Sequence, residues 1–115
     1  MGYDVDLVQD GQLVEVESFT DGGTYAIGGS TDASLNITYN YSPRYREVMD
    51  GQGLREFLHG KRAADVMPGL EMAVRALGTE CSDDYWAPTP GNAGHALNVL
   101  LGWARQYPDA VFEVS

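Results

Sequence analysis

Polar and apolar residues alternate at the start of the chain. Tyr3, Val5 and Leu7 interleave with Asp4 and Asp6, the period-two pattern of a half-exposed strand. Asp10-Gly11 is a tight-turn dipeptide and Leu13-Val14-Glu15-Val16-Glu17 alternates again, so the opening reads as a β-hairpin. Thr24-Tyr25-Ala26-Ile27, bracketed by Gly22-Gly23 and Gly28-Gly29, reads as a third strand or an ordered loop. Ser34 to Tyr41 is rich in β-branched and aromatic residues and is the clearest strand. Its alternation sets Asn36, Thr38 and Asn40 on one face, and Leu35, Ile37, Tyr39 and Tyr41 on the other.

The period changes after Ser42-Pro43. Ser42 as cap and Pro43 at the first helical position predict a short helix over 44–49, broken by Asp50-Gly51-Gln52-Gly53. Leu54, Phe57 and Leu58 mark a second short helix ending at Gly60. Val66, Met67, Leu70, Val74 and Leu77 fit a third, closing at Gly78, with Asp65 as cap and Pro68 in the first turn. Ala93, Ala96, Leu97, Leu100, Leu101 and Ala104 follow the spacing of a buried helical face up to the stop at Pro108. On that wheel His95 groups with Asn92, Asn98 and Gly102 on the less apolar side. Residues 110–114 suit a late strand. The expected fold is a single α+β domain over residues 1–115. A small, mainly antiparallel sheet from the N-terminal half is packed by C-terminal helices.

Composition agrees with that reading. With 115 residues, 43% apolar and 21% charged, the chain can build one core without disulfides or a metal. Cys81 is the only cysteine, which excludes an internal disulfide. No apolar run approaches the ~20 residues of a membrane span, and residues 1–6 lack the basic and apolar regions of a signal peptide. A cytoplasmic protein with no membrane partner is expected.

The net charge of −10 is unevenly laid out. Residues 1–35 hold seven acids (Asp4, Asp6, Asp10, Glu15, Glu17, Asp21 and Asp32) and no Lys or Arg. Residues 36–78 are nearly balanced, and the remainder sets Arg105 against five acids. No basic stripe is present, so duplex nucleic acid is not an expected direct partner. The acids either keep the protein soluble or meet a basic partner surface.

Two stretches carry candidate binding chemistry. In Ser82-Asp83-Asp84-Tyr85-Trp86-Ala87-Pro88-Thr89-Pro90-Gly91-Asn92, polar and aromatic residues run into the N-terminus of the last helix. Thr89 is a natural cap, and the N–H groups of Gly91, Asn92 and Ala93 either serve helix initiation or also hold a phosphate or carboxylate. Tyr85 and Trp86 are core anchors or stacking groups for a nucleobase, and Asp84 is a solvated acid or an acceptor for ribose or a base amine. The second stretch, Asn36-Ile37-Thr38-Tyr39-Asn40-Tyr41, offers a row of hydrogen-bonding groups, with Arg44 as the nearest charge partner for a phosphate, ahead of Arg46. The expected ligand-binding set is Asn36, Thr38, Tyr39, Asn40, Tyr41, Arg44, Asp84, Tyr85, Trp86, Thr89, Gly91 and Asn92, lying across one concavity. No catalytic residue is assigned. His59 and His95 belong to no metal pattern, Cys81 has no activating neighbour in sequence, and no cofactor or metal is expected.

Gly22-Gly23-Thr24-Tyr25, Asn36-Ile37-Thr38-Tyr39-Asn40-Tyr41 and Asp83-Asp84-Tyr85-Trp86 with Thr89-Pro90-Gly91-Asn92-Ala93 together resemble a family of small uncharacterised proteins. Its members are encoded by bacteriophages, prophages and their hosts. The resemblance runs over most of the chain and brings no established activity. It implies a context, interference with bacterial defence, either by sequestering a nucleotide signal or by occupying a surface of a host effector. Two functions therefore stand from sequence: a non-catalytic binder of a small nucleotide-like ligand, and an acidic interaction protein that blocks a basic, nucleic-acid-binding surface. A nucleotide-degrading enzyme is the third. A homodimer is compatible with the small size.

Overall fold

The computed structural model describes residues 2–16, 24–26, 33–84 and 87–115. The first strand, β1, spans Gly2–Gln9, and the expected hairpin returns through β2, Gln12–Leu13. The turn between them needs two residues with positive φ. Asp10 (φ 55°) and Gly11 (φ 80°) supply them, as a two-residue hairpin with right-handed strand twist requires. β3 covers Thr24–Ala26 and β4 covers Ser34–Thr38. Glu17, Gly22-Gly23, Ile27 and Gly28-Gly29, which belong to the expected second and third strands and their brackets, lie outside the described residues.

The helices are α1 (Ser42–Val48), α2 (Leu54–Leu58), α3 (Ala63–Leu77) and α4 (Pro90–Gln106), followed by β5 (Val111–Val114). All strand pairs among the described residues are antiparallel. Val5 and Asp6 are each paired on both sides, to Leu35 and Ser34 of β4 and to Val114 and Glu113 of β5, so β1 is central. The late strand thus joins the middle of the sheet beside the first. The fold is the expected α+β arrangement.

Register sorts the side chains. Val5, Leu7, Leu35, Ile37, Phe112 and Val114 point to the inner face and are buried with the helices in one core. That core includes the expected face of α4, with Ala93, Ala96, Leu97, Leu100, Leu101 and Ala104 all at 2% exposure or less. Burial of several such side chains, each worth about 1.5–3 kcal/mol, holds the helices onto the sheet.

Several boundaries differ from the sequence reading. The returning strand β2 ends at Leu13 and does not run on through Val14, Glu15 and Val16. Strand β4 stops at Thr38 instead of reaching Tyr41. Gly2 pairs with Thr38 at the end of the ladder, and the Thr38 hydroxyl accepts the Asn40 N–H at 3.2 Å, which turns Tyr39–Tyr41 into one 3₁₀ turn. The turn drops Tyr41 into the core and leaves Tyr39 42% exposed, so the alternating faces assigned to residues 39–41 do not exist. Helix α1 begins at Ser42 with Tyr41 at the cap position, and the Ser42 hydroxyl bonds the Tyr3 hydroxyl at 2.8 Å. Helix α3 begins at Ala63 with Arg62 at the cap, so Asp65 is inside the first turn and Pro68 is deeper in the helix, where it forgoes a bond to the Ala64 carbonyl.

The outer edge of β5 is closed by the segment entering α3. Gly60 N–H donates to the Phe112 carbonyl (2.8 Å), Phe112 N–H to the Lys61 carbonyl (3.0 Å), and Ala63 N–H to the Ala110 carbonyl (2.7 Å). Two α2-side residues finish the strand end: His59 Nδ1 accepts the Val114 N–H at 3.0 Å and Arg55 Nε donates to the Val114 carbonyl at 3.2 Å. Accepting through Nδ1 puts the His59 proton on Nε2. This edge is therefore unavailable for adding another strand.

Candidate functional site

Two regions collect the chemistry-bearing residues: the junction of α1 with the N-terminus of α4, and the face of the sheet turned away from the helices. At the first, the chain leaving α3 crosses directly over the first turns of α4. A Cβ on Gly94 would lie 1.7 Å from the Gly78 carbonyl oxygen, and one on Gly91 would lie 1.9 Å from that of Glu80. Both glycines admit backbone. The close approach at Gly91 is made by the chain itself.

That crossing brings Ser82, Asp84 and Ala87 to Asn92, which is fully buried. Its Oδ1 accepts the Ser82 N–H at 2.9 Å. Its Nδ2 lies 3.0 Å from the carbonyl oxygens of Asp84 and Ala87 and from Ser82 Oγ. The Asn92 N–H bonds the Thr89 hydroxyl at 3.1 Å, and the Ala93 N–H bonds the Thr89 carbonyl at 3.1 Å. One amide thus organises the loop. Asn92 does not belong with His95 on a solvent-facing side of the helix, as the wheel suggests, because the loop supplies acceptors that let a carboxamide be buried without loss.

The other expected site residues are placed as follows. Thr38 and Tyr41 are buried, the first as a turn cap and the second edge-on to Tyr45 at 6.3 Å. Tyr39 and Asn40 are exposed, with the Tyr39 ring edge-on to Tyr3 at 4.7 Å. Arg44 reaches the loop: its Nε donates to the Pro88 carbonyl at 2.9 Å, while a terminal nitrogen lies 3.7 Å from Glu47. Arg46 is exposed. Asp84 is exposed and offers its carbonyl to Asn92 and to the Ser82 hydroxyl. Tyr85 and Trp86 lie outside the described residues. Asn36 is on the far side of the sheet, where its amide donates to Asp4 at 2.9 Å. The two sequence stretches are linked through α1, by Arg44 and by the Tyr45 hydroxyl, which donates to the Ala93 carbonyl at 3.1 Å. Burial pushes the Tyr45 hydroxyl well above its ordinary pKa of 10.0, with smaller contributions from Tyr41 and Tyr3.

The sheet's outer face is the second region, and the sequence reading did not assemble it. Directly paired residues share a face, so Asp4 pairs across to Asn36, and Asp6 lies between Ser34 on β4 and Glu113 on β5. The Ser34 hydroxyl donates to Asp6 at 2.6 Å. In the next row Val8 lies between Leu13 and Val111, which are 39% and 36% exposed. The alternations Asp4-Val5-Asp6-Leu7 and Phe112-Glu113-Val114 already point these acids outward. Only the pairing of β5 with β1 shows that they form one row.

Among the described residues no group of three or more His, Cys, Asp or Glu is placed to hold a metal ion, and no helix is long and apolar enough to cross a membrane. No protein-family model, curated protein or solved structure matches the chain.

Proposed function

We propose that this is a non-catalytic binding protein whose acidic surface occupies a basic surface of a partner protein. One observation carries the reading. Asp6 and Glu113 are direct cross-strand neighbours on the outer face of the sheet, with Asp4 on the same face. Like charges placed opposite each other weaken a sheet, so the fold gains nothing from this pair. A basic partner would relieve the repulsion and gain from it. The resemblance to phage- and prophage-encoded proteins supplies the context: a nucleic-acid-binding surface on a host effector is basic, and an acidic protein competes for it.

Sequestration of a nucleotide-like ligand is the second reading. It is favoured by Arg44, which joins α1 to the loop before α4 close in sequence to the exposed Tyr39 and Asn40. Several of the groups expected to hold that ligand have partners inside the fold: Asn92 in the loop, Thr38 and Thr89 as caps, and Gly91 against Glu80. Calorimetric titration with mono-, di- and cyclic nucleotides, set beside titration with Lys/Arg-rich peptides at low and high salt, separates the two. Peptide binding that weakens with salt, without nucleotide binding, is the expected result. Nucleotide binding lost in Arg44→Ala, with recovery of intact ligand, would replace it by the second reading. Recovery of a converted ligand would indicate an enzyme.

A further inference from the structure

We infer that the outer face of the sheet is the docking surface and that it takes a basic polypeptide segment with an apolar anchor; this rests on the acidic-surface reading above. The face carries two adjoining rows of different chemistry. One is apolar, Leu13–Val8–Val111 across three strands, with both end residues more than a third exposed. The other is acidic, Asp6 beside Glu113, with Asp4 two residues along β1 from Asp6. An apolar row beside a charged one matches the apolar core and polar rim of a protein interface.

The carboxylates are also held in position. Ser34 and Asn36, both neutral donors, bond one oxygen each of Asp6 and Asp4 at 2.6 and 2.9 Å. They fix the side chains without cancelling the charge, so less conformational freedom is lost when a cation arrives. The cation nearest in register is Arg62, bridged to Val111 at the far end of the apolar row. It is already held by Asp65 at 3.5 Å and Asp109 at 3.4 Å. Arg55 is engaged at the end of β5 by the Val114 carbonyl. Charge complementarity therefore selects the occupant. A second copy of the chain would set this acidic row against itself or against other acidic surface, and nucleic acid would be repelled. A segment carrying Lys or Arg beside Leu, Ile or Phe satisfies both rows. It lies across the face, because the β5 edge is closed by residues 60–63.

The test uses the whole protein, isotopically labelled for amide NMR, and three synthetic peptides: alternating Lys-Leu, alternating Lys-Gln and alternating Glu-Leu. The expected result is that Lys-Leu binds, with the largest amide shifts at Asp6, Val8, Leu13, Val111 and Glu113. Lys-Gln should bind more weakly and Glu-Leu not at all. The double variant Asp6→Asn/Glu113→Gln should bind Lys-Leu about tenfold more weakly while its melting temperature stays the same or rises; Leu13→Ser should weaken Lys-Leu and leave Lys-Gln unchanged. Cationic peptide binding that shifts Glu80, Asp83 and Asp84 instead, and is indifferent to the sheet variants, would overturn this docking surface while the acidic-surface reading survives. Failure of both cationic peptides to bind at low salt would overturn both.

Discussion

Glycine-to-alanine substitutions within α4 should have opposite signs at different positions. In an open helical position the change stabilises by about 0.8–1 kcal/mol, since Gly is the poorer helix former. Gly102 is such a position, because a Cβ there meets nothing within 4 Å. At Gly94 the new carbon would stand 1.7 Å from the Gly78 carbonyl oxygen, where carbon–oxygen contacts settle at about 3.3–3.6 Å. The crossing chain must then retreat by roughly 1.6 Å, and it is backbone that cannot rotate away. Gly78 is tied by its N–H to the Val74 carbonyl at 2.7 Å, and the chain beyond it by Ser82 to Asn92 at 2.9 Å. Overpacking of this kind costs about 1–3 kcal/mol or more, which exceeds the propensity gain. Thermal and urea denaturation of the two variants should place Gly102→Ala above the parent by about 3–5 °C and Gly94→Ala below it by a similar or larger interval. A Gly94→Ala protein as stable as Gly102→Ala would refute the packed crossing of the α3–α4 connection over α4.

Three further substitutions test the rest of the account. Asn92→Ala strands the Ser82 N–H and takes one donor from each of the Asp84 and Ala87 carbonyls, and should cost about 2 kcal/mol with faster proteolysis between α3 and α4; an unchanged midpoint and cleavage rate would show that the amide does not hold the loop. Tyr45→Phe removes the bond to Ala93 and should cost about 1 kcal/mol near neutral pH. Because the folded-state pKa of Tyr45 is raised, the unfolded chain releases this proton first; wild-type stability should be fully present below about pH 10 and fall as pH rises beyond it. Denaturant midpoints should fall less steeply above that pH in Tyr45→Phe, and identical slopes would contradict the buried hydroxyl. Glu113→Gln removes one half of the like-charge pair and should stabilise the fold by a few tenths to about 1 kcal/mol at low salt, less at high salt; a loss of stability would mean that the pair does not repel.

The parts of the fold that depend on local pattern were readable in the chain. Asp10-Gly11 encodes the hairpin turn because its two residues tolerate positive φ, and the spacing from Ala93 to Ala104 encodes the buried face of α4 because helical geometry admits one solution. Tyr39–Tyr41 misled, since their β propensity is overridden once Thr38 captures the Asn40 N–H. Asn92 misled for a related reason. Periodicity counts an amide as polar and cannot see the acceptors that a crossing loop delivers. Pro68 lies about one turn deeper in α3 than the spacing predicts, because Arg62, at the cap position, makes no side-chain cap bond that a pattern could reveal. The outward direction of Asp4, Asp6 and Glu113 was legible from alternation, but their meeting was not. Register between the first strand and the last is a property of the assembled sheet, set by segments from opposite ends of the chain.

The central claim, that the acidic surface is the binding surface, is tested most directly by the salt dependence of affinity for a Lys/Arg-rich, Leu-anchored peptide. Calorimetry on the wild-type protein and on Asp4→Asn/Asp6→Asn/Glu113→Gln supplies it. The account predicts that wild-type affinity falls steeply as salt rises and that the triple variant is weaker and nearly flat with salt. Equal affinity and equal salt slopes for the two proteins would contradict it.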